Sequence, residues 1–341
     1  MFALIDTLRQ MEGHALERFG LGPIESSYRI AAAGGRWRLR AYGGAIGGPP
    51  LLIVAAPIKR PYIWDLAVSM SVVRHCLQHR LRVYLLEWLP PARGGKAGLA
   101  DYSEGSIGEA VAGLAQDAGI AKPFIMGHSL GGTLAAIFVA GHAPSVRGLV
   151  LLSTPLCFEP GSSRFRDALV AMAPPGVAMM DIVPGSLLTQ LSMMASLETF
   201  LSSRLIDAAL SVSDPRALAL HARVERWALD EFALSGRLVR EILEWLYREN
   251  RFCAGTLQVR EKVVGPACLR LPVLAVVNAD DAIAPPQSIV PCLNAMPTGY
   301  AHLIKFPGEI GVALQHLAIL VGREALAVVW PKIISWLHNQ A

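Results

Sequence analysis

The segment from Lys122 to Ala140 constrains this chain most: a short apolar run, Phe124-Ile125-Met126, is followed without a spacer by Gly127-His128-Ser129-Leu130-Gly131-Gly132 and then by the helical pattern TLAAIFVA. Strand, glycine-rich turn and helix in that order leave one residue, Ser129, at the tip of a very tight bend. Side chains at the glycine positions would collide there. The bend lifts the Ser129 hydroxyl to the head of a helix, where unsatisfied N–H groups and the helix dipole favour negative charge. The pattern G-x-S-x-G in this setting predicts a nucleophilic serine.

The rest of the chain fits a parallel sheet around that bend. Residues 26–42 read as two strands about Gly34-Gly35, and Leu51 to Ala56 is a continuous apolar run of the kind buried on both faces. A helix is expected from about Asp65 to His79, then the strand RVYLLEW, a Pro/Gly-rich loop, a helix from about Ser106 to Ala118 and, after the serine helix, the strand VRGLVLLST. Strand and helix in alternation imply a mostly parallel sheet covered on both faces. The alternation stops at Pro155 and resumes at Pro272 with PVLAVVN, then YAHLIKF from Tyr300 to Phe306, then a helix ending near Trp336. The expected architecture is an α/β-hydrolase fold: residues 1–155 and 272–341 form the core and residues 156–271 an inserted helical cap. The cap is rich in Leu and Met (Met172, Met179, Met180, Met193, Met194) and broken by Pro174-Pro175, Pro184 and Pro215.

Composition narrows the function classes. Of 341 residues, 53% are hydrophobic and 17% charged, ample for a large core and unlike a disordered chain. The net charge of +4 comes from scattered basic residues without a run, so no nucleic-acid partner is expected. No apolar stretch reaches the ~18–20 residues of a membrane span. The first residues alternate charge with apolar side chains and read as an amphipathic helix, so no signal peptide is inferred. Five cysteines without metal-ligand spacing suit a reducing cytoplasm. No cofactor is expected, and assembly into a homo-oligomer is left open.

A serine nucleophile needs an oxyanion site, a base and an acid. The N–H of Leu130, the residue after the serine, is one expected oxyanion donor. The other should come from Ala55-Ala56-Pro57-Ile58 after the strand; Pro57 has no N–H, and Ile58 is preferred over Ala56. Asp281, in VVNADDAIAPP, is the expected acid, with Asp280 read as a turn residue. The loop after the last strand, where this fold carries its base, reads FPGEIG and places Glu309 at that position. Ser129, Asp281 and Glu309 are therefore the expected catalytic set, two carboxyls sharing a site so that one has a raised pKa. The alternative bases are His316, seven residues on and so placed about 10 Å from Glu309 if that stretch is helical, and His302, within the last strand. His128 should point away from the serine.

LLIVAAPIKRPYIWDLAVSMSVVRHCLQHRLRVYLLEW, PFIMGHSLGGTLAAIFVA, the cap stretch RWALDEFALSGRLVREILEWLYRENRFCAGTL with Trp227, Asp230, Tyr247, Asn250 and Gly255, then ADDAIAPPQS and PGEIGV resemble, in order, the polyhydroxyalkanoate synthases, particularly their short type. The resemblance runs from about Leu51 to Leu337. It implies a CoA thioester as substrate and a Cys nucleophile with a His base, where this chain has Ser129 and Glu309. A serine ester is less activated than a thioester and depends more on a base, so polymer synthesis does not follow. The expected activity is transfer or hydrolysis of a hydrophobic acyl ester or acyl thioester, acyl-CoA included, through an acyl-enzyme. The alternative is a catalytically impaired relative that binds an acyl ligand or a partner protein.

Overall fold

The computed structural model describes residues 2–92, 94–119, 122–173 and 180–341; Pro174-Pro175 and Met179 lie outside the described residues. Eight strands form one sheet: β1 (Arg29–Ala33), β2 (Trp37–Gly43), β3 (Pro50–Val54), β4 (Arg82–Trp88), β5 (Phe124–His128), β6 (Gly148–Leu152), β7 (Val273–Asn278) and β8 (Ala301–Phe306). Their order is β1-β2-β4-β3-β5-β6-β7-β8. The hairpin β1–β2 and the β2–β4 pair are antiparallel, and every later pairing is parallel.

The helices are α1 (Phe2–Leu16), α2 (Val72–Gln78), α3 (Ile107–Ala118), α4 (Ser129–His142), α5 (Arg164–Met172), α6 (Gly185–Ala195), α7 (Ser203–Ser211), α8 (Pro215–Ala228), α9 (Gly236–Glu241), α10 (Val290–Asn294), α11 (Ala318–Val321) and α12 (Trp330–Asn339). Successive strand residues feed opposite cores, as the two-residue period requires. Leu52 and Val54 of β3 join Ile125, Leu149 and Leu151 under α3 and α4. Leu51 and Ile53 join Phe124, Met126, Val150 and Val276 against α2, α11 and α12. Burial on both faces explains why these strands read as unbroken apolar runs.

The expected helix from Asp65 starts late. Asp65–Ala67 pairs with Met70–Ser71 as a small hairpin, and the helix begins at Val72. The buried Asp65 carboxylate accepts from the Ser71 hydroxyl at 2.5 Å, and that hydroxyl accepts in turn from the Arg74 N–H at 2.8 Å. These side-chain bonds compete with helix and move its start to a proper N-cap.

Between β6 and β7 run α5 to α9 with only two- and three-residue strands among the described residues. Helix α1 lies against them: Asp6 accepts from the Ser186 N–H at 2.8 Å, and Arg9 donates to Glu231 at 2.7 Å. The same helices reach down to the loop after β3. Phe232 N–H donates to Ile58 C=O at 3.0 Å, Trp227 Nε1 to Arg60 C=O at 2.8 Å, and Tyr62 O–H to Asp230 at 2.7 Å.

Candidate active site

Ser129 sits where β5 ends and α4 begins, with φ of +53°, a left-handed value uncommon for a residue with a side chain. Packing enforces the bend. A β-carbon on Gly131 would lie 2.3 Å from the Val54 carbonyl oxygen, and one on Gly132 would lie 2.0 Å from Thr154 Oγ1. The helix can therefore press against the sheet only because those positions lack side chains, and this close approach holds the serine above the strand ends. Thr133 reinforces it by donating to Pro155 C=O at 2.8 Å.

Ser129 lines a cavity of about 310 Å³ together with Leu130, Ile58, His128 and His316. Most of its wall is apolar, including Phe158, Phe165, Leu169, Leu188, Phe200 and Leu243. A concave, mostly apolar space with few polar groups is the usual form of a small-molecule site. Leu130 follows the serine at the free N-terminal end of α4, and the Ile58 peptide is pinned through its carbonyl to Phe232. Both expected oxyanion donors thus border the cavity.

Asp281 and His316 meet beside it. His316 Nδ1 lies 2.7 Å from Asp281 Oδ2, and Asp281 Oδ1 accepts from Ile283 N–H at 2.9 Å and Ala284 N–H at 3.1 Å. Burial opposes the charge on Asp281, but His316 and these N–H donors outweigh it and hold its carboxyl below the usual carboxylate range. With Nδ1 donating to the carboxylate, His316 presents Nε2 as an acceptor; that atom is buried and has no hydrogen-bond partner among the described residues.

His128 holds the other side of this imidazole. Its Nε2 donates to the His316 carbonyl at 2.8 Å, and the two rings pack with centroids 4.6 Å apart. Burial, with the neighbouring His316, lowers the pKa of His128 to about 3, so it stays neutral beside the serine. Its hydrogen bond and ring contact brace His316.

Glu309 is not brought to this site. Its carboxylate turns toward the start of the next helical segment, accepting from Ala325 N–H at 2.9 Å and Glu324 N–H at 3.3 Å, and it is not among the cavity-lining residues. Burial raises its pKa, partly offset by those N–H donors. The spacing argument that separated His316 from the site assumed helix between them. Residues 307–314 instead form a loop that reverses at Gly311 (φ +90°) and Ala313 (φ +59°), folding His316 back to Asp281. His302 is exposed on β8 against Trp336. Asp280 accepts from Gly308 N–H at 2.8 Å and so shapes the same loop.

The cap residues singled out in sequence act as fasteners and walls. Trp227 and Tyr247 line the cavity, and Asn250 (φ +50°) accepts from Phe158 N–H at 2.8 Å. Gly255, at φ +71°, turns the chain. Met172, Met180, Met193 and Met194 do not line the cavity. Among the described residues no group of three or more His, Cys, Asp or Glu could hold a metal ion, and no helix is long and apolar enough to cross a membrane.

A mostly parallel sheet in this strand order, with a serine on a strained strand-to-helix bend at the strand ends, defines the class as an α/β-hydrolase fold. The chain belongs to the alpha/beta hydrolase fold family, which it matches over residues 60–300. Within that family it is similar to poly(3-hydroxyalkanoate) polymerase subunits. It is 28% identical over 298 residues to the poly(3-hydroxyalkanoate) polymerase subunit PhaC of Allochromatium vinosum, covering 85% of this chain and 81% of that protein. It is 27% identical over 299 residues to the subunit of the same name from Haloferax mediterranei, covering 86% of this chain but 59% of the archaeal protein. The chain thus spans less than two thirds of the length of that relative. Among solved structures, the monoacylglycerol lipase of Paleococcus ferrophilus superposes with a TM-score of 0.52 at 18% identity, covering 89% of this chain and 99% of the lipase, a likeness of fold.

Proposed function

We propose that this protein is a serine acyl enzyme in which Ser129 is the nucleophile, His316 the general base and Asp281 the residue that orients and charge-stabilises the base. The observation that carries the reading is His316 itself: Nδ1 is bound to a buried carboxylate at 2.7 Å, Nε2 has no hydrogen-bond partner among the described residues, and the residue lines the cavity that Ser129 also lines. A serine hydroxyl needs such an acceptor to become a useful nucleophile.

In the reaction, Ser129 Oγ attacks the acyl carbonyl carbon as its proton passes to His316 Nε2. The carbonyl oxygen gains the negative charge and takes hydrogen bonds from the Leu130 and Ile58 N–H groups. Collapse breaks the bond to the alkoxide or thiolate leaving group, which takes the proton from Nε2, and the acyl group remains on Ser129. Water or another hydroxyl or thiol then attacks by the reverse sequence. The apolar walls favour a hydrophobic acyl group, as an ester or thioester.

The reading as a non-catalytic acyl binder rested on a carboxylate at the base position, and an imidazole paired to Asp281 removes that reason. The polymerases' activity belongs to those proteins; here Ser129 favours simple acyl transfer or hydrolysis over chain growth from a thioester. The test is intact-mass detection of a fluorophosphonate adduct and of acyl adducts from aryl esters and acyl-CoAs. Wild type should label on Ser129, whereas Ser129→Ala should not label and His316→Ala should label ~10²–10⁴-fold more slowly. Labelling of His316→Ala at the wild-type rate would remove His316 from the mechanism.

A further inference from the structure

A side chain of the cap holds the loop that carries His316. Asp207, buried on α7, accepts from Gly311 N–H at 2.7 Å through Oδ1 and from Ala313 N–H at 2.9 Å through Oδ2. These are the two left-handed residues of the loop, and Ala313 has a β-carbon that disfavours its φ of +59°. Gly311 also packs on α8, where a β-carbon would lie 2.9 Å from the Ala217 methyl. Buried N–H groups need acceptors, and the loop offers these two none of its own.

Asp207 is in turn fixed by His221 of α8, whose Nδ1 lies 2.8 Å from Oδ2. Glu225, one turn on, is 3.7 Å from His221 Nε2 and pairs with Arg204 of α7. Arg204 and Glu225 both line the cavity. One connected set of side chains therefore runs from the acyl cavity, through the cap helices, to the backbone three residues before the base.

We propose that Asp207 is a positioning residue for His316: by gripping the Gly311 and Ala313 amides it sets the loop so that Nε2 faces Ser129, making proton transfer depend on the cap. The proposal rests on His316 being the base, as proposed above. Asp207 touches neither substrate nor serine, so it acts only through that imidazole. In Asp207→Asn an amide must face two N–H donors and one imidazole, and its NH₂ cannot accept from either backbone group.

The experiment measures fluorophosphonate labelling rates and aryl-ester kcat and KM for Asp207→Asn and His316→Ala, singly and combined, with thermal unfolding of each. The expected result is a labelling rate and kcat ~10–100-fold below wild type for Asp207→Asn, with KM within about threefold, and no further loss when the change is added to His316→Ala. Wild-type rates in folded Asp207→Asn, or the same fold loss in both backgrounds, would overturn the positioning role. Fast labelling of His316→Ala would instead defeat the assignment of the base, a separate outcome. Should Asp207→Asn not accumulate as folded protein, His221→Gln is read the same way. A loss confined to the His316 background supports the clamp, and an unchanged rate rejects it.

Discussion

Asp281 and His316 share a 2.7 Å hydrogen bond across the gap between the loops that follow β7 and β8. In the proposed mechanism the carboxylate does two things that an amide cannot do together: it fixes the proton on Nδ1 and it stabilises the imidazolium formed when Ser129 attacks. In Asp281→Asn the side-chain NH₂ can face Nδ1, which drives the proton to Nε2, where it blocks the base. The expected outcome is a kcat on aryl esters lower by ~10³–10⁴-fold, with residual activity from the oxyanion donors. Steady-state kinetics of the folded variant against wild type would check this, and activity within tenfold of wild type would contradict it.

Glu309 makes the complementary case. Its carboxylate accepts from Glu324 and Ala325 N–H groups and takes no part in the cavity, so Glu309→Gln should keep kcat within about threefold. Its folded pKa is raised by burial, so the folded state holds a proton more tightly than the unfolded one, and stability falls as pH rises from the unfolded value near 4.3 through the folded pKa. Unfolding midpoints taken at steps of pH above ~4 should show that decline in wild type and lose it in Glu309→Gln. Loss of most activity in Glu309→Gln would return the carboxylate to the mechanism.

The two residues also show what the sequence can convey. The bend at Ser129 is legible because three local facts coincide: an apolar strand, glycines at the crowded positions and a helix behind them. The strands are legible because residues such as Leu51 to Val54 are buried on both faces and so read as one run. His316 is harder. Its distance from Glu309 in sequence becomes a distance in space only when the loop's conformation is known, and φ values of +90° at Gly311 and +59° at Ala313 replace the expected helical separation by a fold-back. Gly311 was a usable sign; Ala313 gives none. The clamps from the cap are illegible for another reason: Asp207 meets Gly311 from 104 residues away and Lys59 meets Glu231 from 172, pairings that no local pattern encodes.

Gly132 and Thr154 touch where α4 crosses the end of β6, and a methyl group on Gly132 would lie 2.0 Å from the threonine hydroxyl oxygen and 2.8 Å from its methyl. Neither atom can retreat, because Thr154 is fully packed and its hydroxyl is bonded to Leu152 C=O at 3.0 Å. Gly132→Ala should therefore destabilise the fold by ~1–3 kcal/mol, the usual cost of overpacking, and slow labelling of Ser129 as α4 is pushed outward. Thr154→Gly in the same chain should recover part of both losses. Chemical denaturation of the single and double variants gives the answer, and independent, additive losses would show that the contact does not control the bend.

The neutral His128 gives the fold a built-in sensitivity to acid. Its pKa is near 3 in the folded protein and near ~6.5 in an unfolded chain. Above ~6.5 both states hold the ring neutral, and its burial costs nothing in proton binding. As pH falls below that value the unfolded chain takes up a proton that the folded one refuses, so stability declines by up to ~1.4 kcal/mol per pH unit until the folded pKa is reached. His128→Gln should abolish this part of the slope while its side-chain NH₂ can still donate toward the His316 carbonyl. Urea midpoints between pH 7 and pH 4 should therefore fall more steeply for wild type than for His128→Gln. The difference should track stability first and labelling of Ser129 only once the fold begins to open. Parallel slopes for the two proteins would mean that folded His128 takes up its proton as readily as the unfolded chain does. In acid a cation would then sit against His316, opposing the imidazolium that the proposed attack by Ser129 requires.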